Sequence, residues 1–155
     1  RFTIGTGGAV TMPNQPAFLV HATSTQADIA INSTVEIVFG TEIFDQGGDF
    51  ASNTFTAPVT GKYQLNFGTK LLLMDSAADY YAFYVTTSNR LYATQMDPDF
   101  GQDSPYQTFQ WSALVDMDAS DTVTVSIRQG GGTQQTDLEG DSSNIYTHFS
   151  GYLVC

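Results

Sequence analysis

Residues 61–73 read GKYQLNFGTKLLL, and their side chains alternate in character along the chain. One side of the stretch is mostly apolar and the other is polar: Tyr63, Leu65, Phe67, Thr69 and Leu71 against Lys62, Gln64, Asn66 and Lys70. This period of two is typical of a β-strand with one buried and one wet face. Residues 121–128, DTVTVSIR, alternate in the same way. Both stretches are therefore predicted to be strands of one sandwich.

Six further stretches are rich in aromatic and β-branched residues, which favour strands. They are residues 17–22, 35–44, 53–57, 80–87, 107–115 and 147–154. Clusters of Gly, Pro, Asp and Asn separate them, and Gly61 follows one such turn, where we expect a positive φ. Strands at this spacing indicate an all-β sandwich, jelly roll or barrel. Residues 1–15 are predicted to be an N-terminal arm and residues 16–155 the globular head.

Composition limits the function classes. Five Lys and Arg against sixteen Asp and Glu give a net charge of −11 over 155 residues. Nucleic-acid binding requires basic residues at the phosphates, and an anionic membrane surface would repel such a chain, so neither partner is expected. No apolar run is long enough to span a membrane. A single cysteine, Cys155, has no partner within the chain for a disulfide.

Two segments carry a family resemblance: residues 55–67, FTAPVTGKYQLNF, and residues 147–154, THFSGYLV. Together they resemble the head domain of complement C1q, a ten-stranded jelly roll of the tumour necrosis factor superfamily. The aromatic and glycine signature of that family is matched in order by Phe39, Asp45, Phe50, Phe55, Gly61, Tyr63 and Phe67. Two departures stand out. The spacing from Phe50 to Phe55 is two residues shorter than usual, and Leu65 replaces the middle aromatic residue.

The resemblance implies a two-layer antiparallel jelly-roll sandwich (C1q/TNF-like) of about ten strands, and a homotrimer. Aromatic residues are abundant, with eleven Phe and eight Tyr. Aromatic residues are enriched at protein interfaces. One predicted strand carries them on both faces, and we predict that its Tyr80, Tyr81, Phe83 and Tyr84 form the trimer interface. The alternative is a monomeric sandwich whose outer tyrosines are solvated.

Acidic residues gather in the predicted loops. In residues 97–103, DPDFGQD, the carboxylates of Asp97, Asp99 and Asp103 have the alternating spacing found in calcium-binding loops. Some members of the resembled family bind calcium, so Ca²⁺ is the one metal we predict. The alternative is that aspartate serves there as a turn residue, since the full loop pattern with a final bidentate glutamate is missing. No other cofactor is expected.

Enzymatic activity is not expected. The two histidines, His21 and His148, lie inside predicted strands, where we expect them on the solvent-exposed face. The sequence contains no Gly-x-Ser-x-Gly motif for a nucleophilic serine. The loops instead combine Ser, Thr, Asn, Gln and Gly with Tyr92, Phe100, Tyr106 and Tyr146. That composition suits a carbohydrate or protein surface, and we predict these four residues as ligand-binding. The sequence does not select between the two ligand types.

The segment at residues 11–18, TMPNQPAF, leads into the head as in bacteriophage fibre and virion proteins that end in heads of this family. We therefore predict a non-catalytic receptor-binding or trimer-capping head of a phage tail fibre, located on the virion or outside the cell. The alternatives are a secreted complement-type recognition domain and a purely structural trimerisation module.

Overall fold

The computed structural model describes residues 2–8 and 10–155. Its strands are β1 (Thr3–Ile4), β2 (Val10–Thr11), β3 (Ala17–His21), β4 (Thr34–Glu36), β5 (Thr41–Gln46), β6 (Phe50–Ala51), β7 (Thr54–Thr56), β8 (Gly61–Met74), β9 (Ala78–Thr87), β10 (Leu91–Met96), β11 (Ser104–Met117), β12 (Thr122–Gly131), β13 (Asp137–Leu138) and β14 (His148–Leu153). Within the described residues no helix is formed, so none crosses a membrane.

Strands β1 and β2 pair with each other, and the other twelve strands form two packed layers. One layer has the order β10-β9-β12-β7-β6, with β4 also paired to β12, and the other has the order β11-β8-β14-β3-β5, with β13 also paired to β8. All pairings in both layers are antiparallel. In jelly rolls, strands that pair with each other are often not consecutive in the sequence. The predicted all-β sandwich is confirmed.

Alternation along the strands builds the core between the layers. The largest fully buried side chains are Tyr63, Tyr81, Phe18, Phe55, Phe67, Phe149, Ile29, Ile37, Leu65, Leu71, Met74 and Met117. The Phe18 ring stacks on Phe55 at 4.5 Å between centroids and meets Phe149 edge-on at 5.1 Å. Such aromatic pairs add about 0.5–1.5 kcal/mol each beyond their buried area. The apolar side of residues 61–73 thus faces the core, as its pattern predicts.

The last strand, β14, lies in the middle of its layer, between β8 and β3. Gly151 sits on its core side, where a Cβ atom would lie 2.8 Å from Cε1 of Phe18 and 2.7 Å from Cδ2 of Leu65. The glycine therefore lets an aromatic ring pack against the backbone. Gly61 plays a similar part and lacks the expected positive φ: a Cβ there would lie 2.5 Å from the backbone oxygen of Cys155.

Residues 35–44 do not form the single strand that their composition predicts. The chain is paired with β12 in one layer at β4 and with β3 in the other layer at β5. Between them the backbone N–H of Ile37 donates to Val125 at 2.9 Å, and that of Gly40 donates to His21 at 3.0 Å. The backbone therefore changes layers across residues 37–40, which explains why the strand is interrupted.

The shortened spacing between Phe50 and Phe55 is accommodated by a tight hairpin. Ser52 and Asn53 connect β6 to β7 with φ values of 49° and 61°, so that Phe50 and Phe55 pair directly across the two strands. Two successive positive φ angles are the geometry of a two-residue hairpin turn, and asparagine tolerates it well. The departure from the family spacing therefore shortens a turn and leaves both phenylalanines in the core.

Candidate recognition surface

The outward side of the β11-β8-β14-β3 sheet carries three rows of side chains without a formal charge. Strand register places them in line: Leu114, Gln64, Tyr152 and Ala17; Ser112, Asn66, Ser150 and Leu19; Gln110, Gly68, His148 and His21. We call these twelve residues the uncharged face. Ten of the twelve are at least partly exposed, whereas Gly68 and His21 are buried. In a chain with sixteen acidic residues, three rows without Asp or Glu are a distinct feature.

Charged residues mark both ends of the uncharged face. At one end Asp116 on β11 lies opposite Lys62 on β8 and forms an ion pair with Arg90. This pairing holds the pKa of Asp116 below its usual value, chiefly through the hydrogen bond from Arg90. At the other end Lys70 pairs with Glu139 at 2.6 Å, which raises the pKa of the lysine.

Polar side chains in the middle of the face are ordered by hydrogen bonds across the strands. Nε2 of Gln64 donates to Oγ of Ser112 at 2.8 Å, and that hydroxyl donates to Oδ1 of Asn66 at 2.9 Å. Leu114 and Tyr152 remain 56% and 47% exposed. The face therefore offers exposed apolar area beside a fixed network of neutral polar groups, a combination typical of protein interfaces.

A shallow depression of about 260 Å³ lies on this face, lined by Asn66, Gln110, Trp111, Ser112, His148 and Phe67. The imidazole of His148 lies over Gly68, where a Cβ atom would collide with the ring. Burial lowers the pKa of His148, and its Nδ1 has no hydrogen-bond partner among the described residues. His21, the cross-strand neighbour of His148, is buried, and within the same residues its Nδ1 is also unpartnered. His21 therefore does not occupy the wet position expected from its strand.

Two of the four predicted ligand-binding residues come together. The ammonium group of Lys70 lies 5.2 Å from the ring centre of Tyr106 and 4.6 Å from that of Tyr146. Cation–π contacts of this kind contribute about 0.5–1 kcal/mol at exposed sites. Lys70 was missed by the sequence reasoning, although it lies on the polar side of the deciding strand. The cluster places one open aromatic ring, that of Tyr106, beside a cation.

The other two predicted ligand-binding residues lie elsewhere. Tyr92, on β10, packs against Trp111 with 5.8 Å between ring centres and is half-buried. Phe100 is exposed in the loop of residues 97–103. The four aromatic residues therefore do not form one binding site.

The predicted trimer-interface residues divide between the two sides of β9. Tyr81 and Phe83 are 0% and 2% exposed, and the Phe83 ring packs on Phe67 at 5.6 Å between centres. They belong to the core of the chain itself, which corrects the expectation that they meet a neighbouring copy. Tyr80 and Tyr84 face outward and are half-buried, with the Tyr80 hydroxyl accepting a hydrogen bond from Nε of Arg128 at 2.9 Å.

The predicted calcium ligands are not drawn together. In the described part of the chain, no group of three or more His, Cys, Asp and Glu side chains is arranged to hold a metal. Oδ1 of Asp103 accepts hydrogen bonds from the backbone and hydroxyl of Ser76, and Oδ1 of Asp97 accepts one from the Asp99 N–H. Calcium binding by Asp97, Asp99 and Asp103 stays a prediction that requires these bonds to be exchanged.

The two antiparallel layers define a jelly-roll sandwich with the fold of C1q and TNF domains. The C1q domain family matches residues 17–154, and the chain belongs to that family. Its domains are typically extracellular, form trimers and mediate binding, and they are generally not enzymes. No curated protein matches the sequence.

Solved structures agree on the fold. The globular domain of zebrafish complement 1qA protein matches with a TM-score of 0.64 and 18% identity, over 91% of this chain and 98% of that chain. Murine APRIL, crystallised at pH 8.0, matches with a TM-score of 0.63 and 12% identity, over 90% of this chain and 99% of that chain. At 18% and 12% identity, the similarity to these two structures shows a shared fold alone.

Proposed function

We propose that this chain is a non-catalytic recognition head that works as a homotrimer, with its copies in contact through the uncharged face. The observation that carries the proposal is that one face of a sheet both lacks charged side chains and exposes apolar ones. Like charges repel, so copies that each carry −11 approach most easily where acidic groups are missing. Leu114 and Tyr152 then supply apolar area to bury at that contact.

Within this proposal the head belongs to a bacteriophage tail fibre or other virion protein and binds a glycan or protein on the host cell surface. The support is the lead-in at residues 11–18, which resembles the entry into heads of this family in bacteriophage fibre proteins, and the family's general role in binding. Three equivalent weak sites on one trimer gain avidity when the target surface repeats its ligand. Tyr106, beside Lys70 and Tyr146, is the first candidate for a contact with that ligand.

Sedimentation tests the assembly directly. A homotrimer has about three times the 16.8 kDa mass of one chain. Leu114→Asp is expected to weaken the trimer by about ten- to a hundredfold, since a buried leucine contributes about 1.5–3 kcal/mol. Leu91→Asp is the matched control, because Leu91 is 60% exposed and lies on β10 in the other layer. A monomeric wild type, or equal effects of the two variants, contradicts the proposal.

Binding is tested on arrays of glycans and host surface proteins. The trimer is expected to bind, and Tyr106→Ala is expected to reduce the signal by tenfold or more. Thr108→Ala, an exposed neighbour on the same strand, serves as the control. A trimer that binds nothing on either array supports a structural trimerisation module and contradicts the recognition role.

A further inference from the structure

The N-terminal arm forms an amphipathic hairpin. Strands β1 and β2 pair antiparallel, with Ile4 opposite Val10 and Thr3 opposite Thr11. Because side chains alternate along a strand, Phe2, Ile4, Val10 and Met12 share one face and the threonines occupy the other. The four apolar residues are each 55–64% exposed.

Such a hairpin needs a covering surface. An isolated two-stranded ribbon is at best marginally stable in water, because it has no core to bury its apolar side chains. Among the described residues, the head holds the base of the hairpin through Gln46, whose Nε2 donates to the Met12 carbonyl at 2.9 Å. The Gln15 N–H donates to the same carbonyl at 3.0 Å, a turn within the arm itself. The apolar face beyond this base stays open to solvent.

Charge points to another copy of the chain as the covering surface. Residues 2–27 contain no Asp, Glu, Lys or Arg, although the whole chain carries sixteen acidic residues. The base of the hairpin also continues the uncharged face, since Gln46 pairs with Ala17 at the end of the row that contains Leu114, Gln64 and Tyr152. We propose that the apolar face of each hairpin packs on a neighbouring copy, at the end of its uncharged face around Tyr152 and Val154.

The apolar area of the hairpin is the size expected for one part of a larger interface. Four apolar side chains exposed to this degree present roughly 400 Å² of apolar surface, the size of a functional patch on a typical monomer. A standard interface buries about 800 Å² on each partner. The hairpin thus supplies about half of one interface, too little to hold copies together alone. On the receiving side Tyr152 and Val154 are both exposed, and a depression of about 300 Å³ lies between Val154 and the base of the chain's own hairpin at Met12 and Gln15.

This inference rests on the proposed trimer, and the experiment separates the two. Ile4→Asp and Thr3→Asp add the same charge at adjacent positions, on opposite faces of the hairpin. Sedimentation of the full chain over a range of protein concentrations is expected to show at least a tenfold weaker trimer for Ile4→Asp and an unchanged trimer for Thr3→Asp. Circular dichroism checks that both variants keep the sandwich, whose core contains neither residue.

The outcomes point in different directions. A trimeric wild type that is unaffected by Ile4→Asp overturns the hairpin contact and leaves the trimer in place. A wild type that is monomeric overturns the proposed assembly itself. Hydrogen exchange gives an independent readout, because the Ile4 and Val10 amides are expected to be protected in the trimer and to lose that protection on dilution.

Discussion

Asp75 allows a test of how much its hydrogen bonds stabilise the fold, because this one buried carboxylate holds two separate segments. It follows β8 and is 3% exposed. Oδ1 accepts the backbone N–H of Ala77 at 2.8 Å, and Oδ2 accepts those of Thr133 and Gln134, the latter at 2.8 Å. Asparagine has the same shape but offers only one acceptor oxygen. Asp75→Asn therefore leaves donors unsatisfied on one side, whichever way its amide is turned.

A hydrogen bond to a charged group contributes about 1.5–3 kcal/mol. Losing one or two of them predicts that Asp75→Asn lowers the free energy of unfolding by about 2–4 kcal/mol, a large share of the ~5–15 kcal/mol typical of a domain. Urea unfolding followed by Trp111 fluorescence measures this difference as a lower midpoint with an unchanged slope. Protein concentration has to be held constant, since assembly stabilises the folded state by mass action.

The pH dependence gives the second half of the test. The backbone donor of Gln134 is the largest of the causes that hold the pKa of Asp75 below its usual value. A carboxylate with a lowered pKa stabilises the fold above its unfolded pKa of about 4, and this contribution is lost as pH falls through the folded value. Wild type and Asp75→Asn should therefore converge in acid. Asp79→Asn, an exposed position on β9, is the control. Equal stability at neutral pH, or a difference that persists in acid, would refute the reasoning.

Three further outcomes are expected. Gly151→Ala should lower stability by about 1–3 kcal/mol in urea unfolding, because the new methyl group meets the Phe18 ring, and a neutral result would contradict that packing. Since burial lowers the pKa of His148, the protein should melt at a lower temperature as pH falls below about 6.5, and His148→Gln should flatten this dependence; parallel curves would exclude His148 as the cause. If residues 97–103 bind calcium, calcium should raise the melting temperature over that with chelator, and Asp97→Asn should remove the shift; coincident wild-type curves would dismiss the site.

Much of the fold follows from alternation alone. The pattern of residues 61–73 predicts a strand with Tyr63 and Phe67 inside, and both are buried on β8. Gly151 beside two large residues indicates a close approach of an aromatic ring, and the Phe18 ring makes it. These features depend on neighbours along one strand, which a local pattern contains.

The uncharged face depends on residues that are distant in sequence. Both faces of β9 carry aromatic side chains. The period of two therefore shows that Tyr80 and Tyr81 point in opposite directions, but it does not show which of them faces the core. The uncharged face needs the register of four strands, in which Leu114 lies beside Gln64 and Tyr152 beside Ala17. That register is set by tertiary contacts between segments far apart in sequence. The neutrality of the uncharged face therefore becomes visible only in the folded chain.

The concentration of neutral residues on one sheet has a consequence for how the proposed trimer approaches a charged target surface. If the uncharged face is hidden between copies, the three chains bring a net charge of −33 to the assembly and the hidden rows contain no Asp or Glu. Cell envelopes rich in phosphate or carboxylate would then slow the approach of the head, and added salt would screen that barrier within about 10 Å at 0.1 M. If the head binds an anionic surface, its attachment should therefore become faster as ionic strength rises, the reverse of what a basic protein shows.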